Sequence, residues 1–205
     1  MIFLLGLPKS TELSKQLPKK AIYEKFNMNN AAKEKFDADI SRINIVAEIS
    51  PSTTNIDEGK TVTSIYVLQV ILKCKAFEEK TVSHLSKLID QNMLLVLDFD
   101  GERKLAVYHT KLLQTDWMSP EDCSVQLVGL NLDTVWENLI TQVGSIEIEQ
   151  GHSLDEQIAA DEQKAKLEKE IARLERQARN EKQPKKKFEL VQMIKKLRKT
   201  ESTKI

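Results

Sequence analysis

Asp98 and Asp100 flank Phe99 at the end of an apolar run. Two acids at a strand end are the arrangement with which nucleases and transferases hold a divalent cation. No third ligand accompanies them at an obvious spacing, and Asp100-Gly101 is equally a tight-turn pair. A restriction-type nuclease needs a further acid two residues before a lysine, so that metal and water are held together. Lys73 stands in such a place, but the residue two positions earlier is Ile71, and Asp57 and Glu48 have no partner. The six glycines, Gly6, Gly59, Gly101, Gly129, Gly144 and Gly151, are isolated and form no phosphate loop. His84, His109 and His152 lie far apart and read as surface residues, without metal-ligand spacing. Cys74 and Cys123 have no CxxC partner and read as small buried apolar groups in a reducing cytoplasm. No GxSxG elbow selects a nucleophilic serine, and no cofactor is expected.

One constellation remains. Lys182, Lys185, Lys186, Lys187, Lys195, Lys196, Arg198 and Lys199 are opposed nearby only by Glu181 and Glu189. Such a density of cations neutralises phosphates and releases counterions. The alternative is a solvated helix face that keeps the chain soluble. Phe188 is the only aromatic among these residues, which disfavours stacking on single strands there. From Gly151 onward fifteen Lys and Arg face ten Asp and Glu, so a net charge of zero conceals a basic C-terminal part and an acidic remainder.

The elements that would position these groups follow from periodicity. The chain of 205 residues is long enough for one core and an appendage. The apolar run 2–7 is too short for a membrane span or signal peptide, and no membrane contact is expected. Residues 1–60 read as a helical N-terminal cap and loop. Within them Ile22, Phe26, Phe36, Ile40 and Ile43 suit two amphipathic helices broken near Asn29-Asn30, and 50–59 form a turn-rich loop. Residues 61–146 read as the α/β core of the same domain, the compact body running from about Leu17 to Val143. Residues 63–74 are apolar on both faces and should form a central strand, and 93–99 a second one. Val82, Leu85, Leu88 and Ile89 place a helix between them, which implies a parallel crossover. A hairpin strand nearer an edge over 104–111, a strand over 125–130 and a helix bearing Trp136 complete the core. Residues 153–205 read as a charged helical arm. Leu167, Ile171 and Leu174 recur at heptad-like spacing, Pro184 interrupts, and Leu190, Ile194 and Leu197 resume a second stripe. The first helix should be roughly 42 Å long and the second about half that, free to fold back along the first. These six residues are the expected partner-binding stripe. The fold class is therefore α+β, a mixed sheet with packed helices and a C-terminal coiled-coil-like hairpin.

Four phrases together, LGLPKSTE from Leu5, SPSTTNIDEGK from Ser50, GLNLDTVWENLITQV from Gly129 and NEKQPKKKFEL from Asn180, resemble a bacterial family of unknown function, domain-of-unknown-function family 4391. The resemblance covers nearly the whole chain. It implies an accessory role beside DNA methyltransferases and helicases of restriction-modification or phage-defence systems, and carries over no catalytic residue. The expectation is a non-enzymatic subunit docking on such a larger partner. Any DNA contact would be non-specific, through Lys185, Lys186, Lys187, Lys195, Lys196 and Lys199. The alternatives are a degenerate metal-dependent nuclease and a stand-alone nucleic-acid-binding protein.

Overall fold

The strands follow one another across a single six-stranded sheet in chain order: β1 (Glu12–Gln16), β2 (Ile40–Ile49), β3 (Ile65–Leu72), β4 (Asn92–Phe99), β5 (Glu102–Tyr108) and β6 (Leu112–Gln114). Neighbours are antiparallel except β3 and β4, which run parallel. The computed structural model describes residues 5–77, 79–87 and 91–203, divided into two units, Met1–Ile146 and Glu147–Ile205. Helices α1 (Lys19–Lys25), α2 (Asn30–Asp39), α3 (Pro51–Thr54), α4 (Glu79–Leu85) and α5 (Leu132–Gly144) belong to the first unit, α6 (Leu154–Asn180) and α7 (Pro184–Thr203) to the second. The class is α+β with a mixed sheet, as the sequence indicates.

The central pair is as expected. β3 and β4 are buried on both faces, with Val67, Leu68, Leu94 and Leu95 all fully enclosed, and α4 connects them. Leu88 and Ile89, expected in that helix, lie outside the described residues. One face of the sheet packs Leu68, Val70, Leu95 and Leu97 against Ile22 of α1, Phe36 of α2 and Leu85 of α4. The other carries α5, whose Val135, Trp136, Leu139 and Ile140 are buried and which lies against β5 and β6. Asp100-Gly101 has positive φ at both positions (48° and 80°), the conformation that joins β4 to β5 without splaying the strands.

Three expectations of the sequence reading fail, each for an identifiable reason. The helical cap stops at Asp39, and Ile40, assigned to a helix, opens a ten-residue strand. Two irregularities, between Ile40 and Arg42 and between Ile45 and Ala47, break its period-two alternation. Its first two buried positions, Ile40 and Ile43, then fall three apart and imitate a helix, before Ile43, Ile45, Ala47 and Ile49 resume the alternation. β1 escapes notice because all five of its residues are exposed, leaving no apolar signal. Residues 125–130 form no ladder. Part of their backbone bonds to α5 side chains instead: Gln142 accepts from the Gln126 N–H and donates to its carbonyl, both at 2.9 Å, and the Asn138 amide donates to the Val128 carbonyl, while the Val125 N–H donates to the Leu5 carbonyl. β5 pairs with β4 as a hairpin and lies one strand in from the edge, as the sequence indicates.

Three of the four phrases that carry the family resemblance meet at one corner. Ser10 donates to the Thr53 carbonyl, and the Leu132 N–H to that of Asp57. The Asp133 carboxylate accepts from the N–H groups of Lys60, Thr61 and Val62 and from the Thr61 hydroxyl. A Cβ on Gly59 would stand 2.4 Å from Asp133 Oδ1, so only glycine lets the loop come this close.

Candidate nucleic-acid interface

The second unit starts where Ser153 caps α6. Its hydroxyl accepts from the Glu156 N–H while the Glu156 carboxylate accepts from the Ser153 N–H, a reciprocal box that fixes the first turn. Upstream, buried Gln157 accepts from the Glu149 N–H, donates to Asp161 and lies 3.2 Å from His152 Nδ1. The helix ends at Asn180. After three intervening residues Pro184 stands at the first position of α7, where its missing N–H costs nothing and its fixed φ suits a helix start. Pro184 thus begins the second helix. At 1.5 Å per residue α6 is about 40 Å long and α7 about 30 Å, longer than the half-length expected.

The two helices close on each other. Leu167, Ile171, Leu174 and Ala178 of α6 pack with Leu190, Ile194 and Leu197 of α7 in one cluster, with Ile171, Leu174, Ala178 and Ile194 buried. All six side chains expected to bind a partner pack in this hairpin, with Ile171, Leu174 and Ile194 buried and Leu167, Leu190 and Leu197 partly so. Arg198 Nη2 reaches across to Glu175 Oε1 at 2.6 Å. Within α6, Arg173 forks onto both oxygens of Glu170 at 2.7 and 2.9 Å, and these bonds hold the Glu170 carboxyl below its ordinary range.

Enclosing the stripe sorts the lysines. Lys185, Lys186, Lys187, Lys195, Lys196 and Lys199 are all exposed. Lys185, Lys196 and Lys199 are eleven and fourteen residues apart, close to whole turns, and lie on the face of α7 opposite Leu190, Ile194 and Leu197. Phe188, Gln192 and Lys195 complete this face, and Phe188 is 63% exposed. It spans about 21 Å. Lys186 instead lines a shallow groove between the helices with Arg176, Glu181 and Glu189, where acids offset it. Lys187 lies on the flank toward the packed stripe. The structure therefore brings four of the six expected lysines into one row and leaves two beside it.

The acids considered for catalysis are placed differently. Asp98 belongs to a polar row crossing four strands: Asn44 donates to Gln69, while Gln69 Nε2 and Arg103 Nε donate to Asp98 Oδ2 at 3.2 and 3.3 Å. Gln69 is 7% exposed, so the row satisfies polar groups that burial would otherwise penalise. Lys73, the lysine of the nuclease comparison, donates to the Asp37 carbonyl. Among the described residues no three His, Cys, Asp or Glu side chains gather as a metal-binding group. Cys123 is buried, and burial pushes its thiol up. Cys74, read as buried, is only half so and donates to Asp39 Oδ1.

The site whose chemistry dominates the body was not among the sequence candidates. Asp133 is pulled down to about 2 by the Thr61 hydroxyl, together with the N–H groups of Val62, Thr61 and Lys60. The visible signal was an acid in the first turn of a helix, capped by Asn131, and a distant Asp-Glu-Gly-Lys turn.

The family model described as domain of unknown function (DUF4391) matches residues 5–200, and the chain belongs to this family. No curated protein and no solved structure matches it.

Proposed function

We propose that this member of the DUF4391 family is a non-catalytic accessory subunit of a bacterial DNA-processing system of the restriction-modification or phage-defence kind. It docks on a larger methyltransferase or helicase and contributes a sequence-indifferent grip on nucleic-acid phosphates. The observation that carries this reading is the row Lys185, Lys195, Lys196 and Lys199 on the outer face of α7. Lysines are point charges on flexible stems, suited to phosphates and unsuited to bidentate readout of base edges. The nuclease alternative is less well supported, because Lys73 and Asp98 are both engaged in holding the fold.

The test is fluorescence anisotropy with a labelled duplex over a salt series. With about four to six phosphates neutralised, log affinity falls against log salt with a slope of about −4 to −5. Changing the six lysines to Gln flattens the slope and leaves the circular dichroism unaltered. Binding that survives the substitution unchanged refutes the assignment to α7.

A further inference from the structure

We propose a second nucleic-acid contact, on the first unit, in which Trp117 is a stacking platform for a base of a single strand and Lys75 and Lys104 anchor the flanking phosphates. Trp117 is half-buried and packs edge-on against Phe99, with ring centroids 6.5 Å apart. The ammonium groups of Lys75 and Lys104 lie 5.3 and 5.5 Å from its ring centroid. Glu102 is ion-paired with Lys75, so the pair of lysines is only partly neutralised. Along β5, Lys104, Ala106 and Tyr108 alternate onto the sheet face that holds α1, α2 and α4, and Ala106 joins the buried cluster there. Tyr108 repeats the arrangement, with the Lys87 ammonium 4.6 Å from its ring centroid. Two aromatic rings, each with lysine beside it, thus lie along β5: Tyr108 on the strand itself, and Trp117 beside its start, where Met118 bridges to Arg103.

This juxtaposition selects its ligand. An aromatic face accepts any base, and lysines within reach of that face can transfer to phosphates, the combination by which single strands are held without sequence readout. A duplex hides its bases and leaves the indole without a partner. The charge fits too: the part of the chain preceding Gly151 has five more acids than bases, yet three lysines gather on these two rings. The contact does not depend on the lysines of α7.

The test uses the full chain and an oligothymidylate of about 12 nucleotides at low salt. Trp136, the other tryptophan, is 6% exposed and out of reach of a stacking base, so quenching of intrinsic fluorescence by an added strand reports on Trp117. The single strand quenches this fluorescence, and the chain with the six α7 lysines changed to Gln shows the same quench, which separates this site from the one on α7. By anisotropy of a labelled strand, measured on that α7 variant, Trp117→Ala weakens binding about ten-fold. Trp117→Phe restores most of it, since a smaller ring still stacks and still packs on Phe99. Lys75→Gln with Lys104→Gln reduces the magnitude of the salt slope by about 1.4, at about 0.7 per phosphate contact on a single strand. Absence of a quench, equal affinity of the Trp117→Ala and parent chains, or an equal quench by a duplex of the same length would each overturn the proposal.

Discussion

Asp133 shows how a single carboxylate can hold distant chain segments together while remaining at the surface. Its acceptors take donors more than seventy residues earlier, from Lys60, Thr61 and Val62. Because the folded value lies near 2, below the ordinary 3.8, the charged form is favoured by folding. The stabilisation is therefore complete above about pH 4 and is lost as pH falls toward 2. Asp133→Asn is expected to lower the urea midpoint at pH 7, and the gap from the parent chain should narrow steadily as pH is taken from 4 to 2. A gap independent of pH would mean that the charge contributes nothing. Tyr23 behaves in the opposite sense: burial, then its bond to Asp37 at 2.6 Å, pushes it up to about 12, so its contribution holds below pH 10 and fades between 10 and 12. Neither residue could be picked from sequence, because each owes its state to partners brought near only by the fold.

Elements were legible where burial follows a clean period. β3, β4 and α5 have uninterrupted apolar patterns, and the sequence places all three. β2 was hidden by its irregular register and β1 by its exposure, while 125–130 has strand-like composition but takes part of its hydrogen bonds from a helix. The lysine face of α7 was half legible: the cations were evident, but their sorting into a row and a groove follows from which stripe packs. The stripe itself makes a prediction. Ile171→Asp with Leu174→Asp puts two charges into the helix–helix seam, where truncating even one such side chain costs about 2–5 kcal/mol. Far-ultraviolet circular dichroism should lose helical signal equivalent to much of α6 and α7, while the first unit keeps its cooperative thermal transition. An unchanged helical signal would show that the seam does not hold the pair together.

At the scale of the molecule, the charge asymmetry and the two-unit organisation put the two proposed contacts on different parts of the chain. The acidic first unit, which carries the six-stranded sheet, gathers lysines on Trp117 and Tyr108, and the basic second unit lays lysines along one helix face. Both sets bear cations on flexible stems, so ionic strength is the variable that should control both of the contacts proposed above.

The chain-order sheet also determines how the first unit assembles in time. Every strand pairs with its neighbour in sequence, so no pairing has to close a connection longer than the 23 residues (17–39) between β1 and β2. The Asp133 clamp is different: it joins segments separated by 71 to 73 residues, and only after α5 has docked are its acceptors in place. It should form after the rate-limiting step. Asp133→Ala is accordingly expected to steepen loss of the native state by raising the unfolding rate, with the refolding limb of the chevron superimposed on that of the parent chain. A slower refolding limb would place the clamp in the nucleus. On this ordering, the corner where three of the four family phrases meet acts as a latch, setting how long the fold lasts more than how fast it is reached.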